Sequence, residues 1–340
     1  MNADGQVGAI SSQKQTNTNI QAINQALADA LADDPMVLVF GEDVADPEEG
    51  GVIGATKGLS TKYGDHRVRS TPISEQAIIG AAIGVSMRGY RPVAEIMLMN
   101  FTTIAMDMIV NHAAKLRYMS GGQTHIPIVV RTMTGTGFAS AGQHSDYLEA
   151  WFAHTPGLKV VAPSNPADYY GLLRASIDDP DPVIFVENGP DYWTPGPRFT
   201  SGARIALSQA HITLPGTDAT IISYSRSVGV ALAAAKALQA DGISVEVVDL
   251  RTISPWDQKT VIESVAKTGR GLVVHEAVRA FGVGAEIAAT LQEALFGQLK
   301  SPIRRLGAPF CPVPFSAPLE AAYAPGVEAI KSVIEQMIDS

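Results

Sequence analysis

The sequence predicts an α/β protein: a doubly wound parallel sheet followed by a second, smaller α/β unit. Three observations lead there. Short, continuous apolar runs such as MVLVFGED (36–43) and IPIVVRTM (126–133) have strand length, as expected of strands covered on both faces. Segments of helical period alternate with them. The Pro- and Gly-rich stretch NGPDYWTPGPRFTSGAR (188–204) breaks the alternation and reads as a connection between two units.

The elements follow in order. Ile20, Ile23, Leu27 and Leu31 share one helix face over 20–31, and Thr18 or Asn19 caps it. Strand 36–43 comes next, then helix 74–89, strand 92–98, helix 101–119 and strand 126–133. A Gly-rich loop leads to strand 158–163, helix 166–177 and strand 182–187. After the connection come strand 219–225, helix 227–240, strand 245–250, helix 256–267, strand 271–276, helix 283–296, a short strand at 303–307 and an amphipathic final helix. This divides the chain into a tail (1–15), a first domain (16–190), a linker (191–213) and a second domain (214–338).

Composition narrows the function. Of 340 residues, 46% are hydrophobic and 17% charged, which suits two globular domains. A net charge of −9 without a basic patch argues against nucleic acid or an anionic membrane as partner. The single cysteine, Cys311, allows no internal disulfide and suits a reducing cytoplasm. No apolar run reaches membrane-spanning length. The loop GTGFASAG (135–142) lacks the GxGxxG spacing of a dinucleotide site, and no histidine pair has zinc-ligand spacing.

One residue stands out. TPISEQAIIGAAIGV (71–85) reads as a helix with no polar face, yet it opens on Glu75. A first-turn carboxylate can simply answer the helix dipole, with Ser74 as N-cap. The apolar helix behind it predicts a buried start, and a buried carboxylate needs a partner. Gly80 and Gly84, four apart, allow another helix or another chain to approach closely.

The segments TPISEQAIIGAAIGVSMRGYRPVAEIMLMNF, DMIVNHAAKLRYMSGGQTHIPIVVRT and AGQHSDYLEAWFAHTPGLKVVAPSNPADYYGLLRASIDDPDPVIFVEN, in this order, resemble the beta subunit of the thiamine-diphosphate-dependent decarboxylating component of 2-oxo acid dehydrogenase complexes. The resemblance covers roughly 16–338. It implies a pyrimidine-binding domain followed by a transketolase C-terminal-like domain. It gives Glu75 its partner, the aminopyrimidine ring of the cofactor: a proton shared with N1′ sets the tautomer that removes the thiazolium C2 proton. It places Ile73, Met97 and Phe101 around the pyrimidine, Glu42 just behind the site, and His144 near the substrate, with a part in stabilising the intermediate or in acyl transfer to a lipoyl group. Relatives often read HSQ where this chain has Asp146. Ile128, Ser176, Ile177, Asp179 and Asp181 match a monovalent-cation (K+) site of some relatives.

The GDG motif that holds Mg2+ and the cofactor's diphosphate in this enzyme class is missing from the sequence. The resemblance therefore implies an alpha subunit that supplies this half, in an alpha2beta2 heterotetramer, and a lipoyl-bearing acyltransferase as further partner. Pyruvate is the favoured substrate. Acetoin cleavage, a transketolase-like ketol transfer and a catalytically silent scaffold for the alpha partner are the competing readings.

Overall fold

The computed structural model describes residues 16–339; the tail expected over 1–15 lies outside them. Helix Asn19–Asp33 starts in a capping box. The Thr18 hydroxyl accepts the Gln21 N–H at 3.4 Å, and the Gln21 side chain accepts the Thr18 N–H at 3.0 Å. Two donors that the helix itself leaves unpaired are thereby satisfied. Its stripe of Ile23, Leu27 and Leu31 is buried against helix Pro166–Asp178.

Among the described residues, seven strands form one sheet. Their order is Thr252–Ser254, Lys159–Val161, Val183–Asn188, Val129–Thr134, Arg91–Leu98, Val37–Gly41, Val68–Ser70. All neighbours run parallel except the Thr252–Ser254 edge. Helices cover both faces, so Val183–Asn188 is buried along its whole length. A second sheet of five strands has the order Arg304–Ala308, Gly271–Val278, Ala219–Ser223, Val245–Asp249, His211–Leu214, the last one antiparallel.

Four features go beyond the sequence reading. The connection between the two units is packed rather than open. Phe199 stacks on Tyr170 at 4.7 Å, Ile205 and Leu207 pack on the first core, and its last residues open the edge strand His211–Leu214. Thr252–Ser254, which lies in the second half of the sequence, joins the first sheet; the Ala162 N–H bonds the Arg251 carbonyl, and Arg251 pairs with Asp168 at 2.7 Å. The helix expected over 101–119 is present but mixed in type, with a 3-10 segment (Met99–Ala105), a π segment (Met108–Ala113) and one α turn (Leu116–Met119) joined by right-handed helical residues. Thr102 and Thr103 donate to the Met99 and Asn100 carbonyls, offering the backbone an alternative to helical bonds. Finally, helix Glu75–Ser86 is buried on one face only. Ile78, Ile79, Ala82 and Ile83 face the core, while Gln76, Ala77, Ala81 and Gly84 are exposed. Small residues disguised that face as core, because alanine and glycine carry little information about which side meets water.

Candidate active site

Strand order brings the site together. Four neighbouring strands of the large sheet carry the predicted residues at or beyond their C-terminal ends. Val129–Thr134 leads to His144, Arg91–Leu98 to Met97 and Phe101, Val37–Gly41 to Glu42, and Val68–Ser70 to Glu75. The crevice beyond the carboxyl ends of parallel strands is where ligands bind in open α/β sheets. The close approach of two strands here requires Gly41: a Cβ there would lie 2.6 Å from the Glu95 carbonyl oxygen.

Glu75 is the first residue of its helix and is only 6% exposed. Ser74 takes the N-cap position, as expected, but makes no side-chain cap bond. The Glu75 carboxylate has no hydrogen-bond or ion-pair partner among the described residues. Its charge is felt by Glu42, whose carboxyl is held above the ordinary range by burial, then by the charges of Glu75 and Asp43. A buried carboxylate facing like charge is unfavourable unless a further group completes it.

His144 lies on the one-turn helix Gly142–Ser145 and is exposed. Its ring meets Phe101 edge-on, with centroids 5.6 Å apart and planes at 73°. Asn100, the residue before Phe101, braces this contact. Its Nδ2 donates to the Gly142 carbonyl at 2.9 Å and to Asp146 Oδ2 at 3.0 Å, and its Oδ1 accepts the Asp146 N–H at 3.2 Å. Asp146 is thus turned towards Asn100. Met97 and Phe101 are half-buried, while Ile73 is 82% exposed. Asn100 escaped notice because its partners lie more than forty residues along the chain.

The residues matched to a cation site also make contacts within the protein. Lys159 donates to both Asp179 oxygens at 2.7 Å, and Arg117 pairs with Asp181. The Ile177 carbonyl accepts Arg91 at 3.2 Å, the Ile128 carbonyl accepts the Val183 N–H at 2.9 Å, and the Ser176 hydroxyl donates to the Leu172 carbonyl at 2.7 Å. No cluster of ligating side chains among the described residues could hold a metal.

Behind the site lie buried charges. Arg131 bonds Glu187 through two nitrogens, at 2.7 and 2.9 Å, and Glu95 through a third at 2.6 Å. Glu149 is fully buried. Tyr224 donates to one of its oxygens at 2.7 Å, and the other has no partner among the described residues. Burial pushes the Glu149 carboxyl up to about 7. A folded-state value above the unfolded one favours the protonated native state. The benefit is complete below about pH 4.5 and is lost as pH rises through 7. Wild type should lose about 3 kcal/mol over that window from this group. Glu149→Gln should remove that part of the slope. Urea unfolding at pH 5 and pH 8 tests this: the variant gains on wild type at pH 8 only, and equal differences at both pH values would refute the assignment.

The two-domain parallel-sheet architecture is that of a class: the transketolase-type cofactor-binding fold. Residues 15–193 match the transketolase pyrimidine-binding domain, and residues 208–330 match the transketolase C-terminal domain. A split-gene transketolase solved as an inactive beta4 tetramer shares the fold, with TM-score 0.78 and 21% identity over 96% of this chain and 99% of that one. Closer in sequence are beta subunits. The chain is 45% identical to the acetoin:2,6-dichlorophenolindophenol oxidoreductase subunit beta of Cupriavidus necator, over 91% of this chain and 94% of that protein. It is 42% identical to the 3-methyl-2-oxobutanoate dehydrogenase subunit beta of Mycobacterium tuberculosis, over 97% and 94%. It is 41% identical to the mitochondrial pyruvate dehydrogenase E1 component subunit beta-2 of Oryza sativa, over 91% and 83%. The chain belongs to this family, the beta subunits of thiamine-diphosphate-dependent 2-oxo acid dehydrogenases. No helix among its described residues is long and apolar enough to cross a membrane.

Proposed function

We propose that this chain is the beta half of a cytoplasmic enzyme that decarboxylates a short 2-oxo acid, pyruvate before others, and passes the acyl group to a lipoyl group. The observation that carries the reading is Glu75, a buried carboxylate with no protein partner at the ligand-binding edge of the sheet. A pyrimidine nitrogen is the partner it fits: the ring can share a proton with a carboxylate that nothing else satisfies. When bound, thiamine diphosphate supplies the nucleophilic carbon and the electron sink for loss of CO2.

This chain's residues do the rest. Glu75 holds the proton at the pyrimidine ring, and Glu42 keeps like charge behind it. Ile73, Met97 and Phe101 give the ring apolar contact and exclude water. His144 stands on the substrate side and serves acyl transfer. The sequence has no GDG motif, so an alpha subunit brings Mg2+ and the diphosphate half, in an alpha2beta2 assembly. The exposed small-residue face of helix Glu75–Ser86 lies at this edge and suits close subunit contact. A K+ ion at the matched residues would be held by backbone carbonyls, and no step is assigned to it. Acetoin cleavage is the second reading, favoured by the 45% identity to an acetoin-oxidising relative.

The test is co-expression with an alpha subunit, followed by turnover of pyruvate, branched-chain 2-oxo acids, acetoin and a ketose phosphate with thiamine diphosphate, Mg2+ and an artificial electron acceptor. Turnover by the pair, and by neither chain alone, is the expected result. Turnover of the ketose phosphate alone would replace oxidative decarboxylation with ketol transfer, and an assembled pair inert on every substrate would favour the scaffold.

A further inference from the structure

The loop that carries His144 is held in a strained conformation. It places two alanines in the left-handed half of backbone space: Ala139 at φ 54°, and Ala141 at φ 60° with ψ −176°. The second conformation is one that residues other than glycine scarcely adopt, and it persists only where the surroundings impose it. Two anchors do so. At one end Glu320, buried on helix Ala317–Ala321 of the C-terminal unit, accepts the Gly137 and Ala139 N–H groups at 2.7 and 2.9 Å, one on each oxygen. At the other end Asp146 is locked to Asn100, the neighbour of Phe101. His144 stands between these anchors, against the Phe101 ring.

We propose that Glu320 and Asp146 are positioning residues for acyl transfer. By clamping a strained loop at both ends, they fix the His144 imidazole relative to Phe101. The proposal rests on the reading of His144 given above. In that step two electrons cleave the lipoyl S–S bond. One sulfur becomes bonded to the acyl carbon, which supplies those two electrons and reaches the thioester level as its bond to the cofactor breaks and its hydroxyl proton is released. The other sulfur leaves as a thiolate and takes a proton, which His144 is placed to supply. A carboxylate of the C-terminal unit thereby enters the chemistry of the first domain without touching substrate.

The test uses the assembled enzyme of both chains with His144→Ala, Glu320→Ala, Glu320→Gln, Asp146→Ala and Asp146→Asn. Two rates are compared for each: oxidation of the 2-oxo acid with an artificial electron acceptor, and reductive acylation of free lipoamide. The two anchor-to-Ala variants should lose lipoamide turnover by about tenfold or more, while turnover with the artificial acceptor falls by less than about threefold. The Gln and Asn variants, which keep one acceptor oxygen, should show an intermediate loss in the same ratio. They serve as the readout where an Ala variant does not assemble. Equal losses in both rates would mark a purely structural role and overturn the proposal. If His144→Ala slows lipoamide turnover while all the anchor variants keep wild-type rates, the clamp alone falls. If His144→Ala changes neither rate, the reading of His144 falls and the clamp with it.

Discussion

Glu75→Gln should lower turnover of the assembled enzyme by about 10²–10⁴-fold, the usual scale for losing a proton-transfer group, and yet leave the beta chain at least as stable as before. The two effects have opposite signs for one reason. In the isolated chain Glu75 is only 6% exposed, its carboxylate has no hydrogen-bond partner among the described residues, and it faces the charge of Glu42. Removing that charge relieves a like-charge contact with Glu42. In the loaded enzyme the same charge holds the proton that the cofactor needs, and an amide of equal shape cannot exchange it. Turnover of the pair and Tm of the beta chain alone should therefore separate cleanly. A variant within about threefold of wild-type turnover would remove Glu75 from the mechanism. A fall in Tm together with lost activity would make it a structural residue.

Much of this fold could be read from local pattern, and the misreadings share a cause. Helices and strands whose apolar residues are large, such as Ile23, Leu27 and Leu31 or Val183–Val186, declare their period and their buried face. Where small residues replace them the pattern is silent. The face of Ala77, Ala81 and Gly84 looked like core and is exposed. Pairing between distant segments was also invisible, which is why Thr252–Ser254 went unassigned although it edges the first sheet. The site divides in the same way. Glu75 was legible as a charge at the head of an apolar helix, and Glu95 and Arg131 carry the same kind of signal in the strand runs EIML and IVVR. Glu276, at the end of the run GLVVHE, carries it too, whereas Asn100 and Glu320 carry none. Glu276 accepts Thr136 at 3.0 Å and Asn188 at 2.7 Å, and Glu320 reaches back 183 residues to Gly137. Only the packed domains bring these groups together.

The largest loss of stability is expected at Arg131. The residue is 1% exposed in the middle of the sheet, between Glu95 and Glu187, with Tyr192 donating to Glu187 at 2.7 Å. Burial holds the Glu95 carboxyl above its ordinary range even though Arg131 pulls it down. Arg131→Met keeps most of the volume and leaves two carboxylates without a cation. Breaking a buried pair in this way typically costs about 3–5 kcal/mol. The loss should depend on pH in a defined direction. Without the guanidinium, the Glu95 carboxyl favours the protonated form more strongly, so the variant gains stability from its protonation at low pH and loses it as pH rises. Urea unfolding should show a larger deficit at pH 8 than at pH 5. The triple change Glu95→Gln, Arg131→Met, Glu187→Gln should recover most of the loss at pH 8, because replacing a whole buried ionic cluster is often nearly neutral. A deficit below about 1 kcal/mol at pH 8, or one independent of pH, would mean that water reaches the cluster. Glu95 also lies against Gly41, the last residue of the strand that leads into Glu42. The cluster therefore holds the strand ends from which the site is built, and Arg131→Met should weaken turnover along with stability.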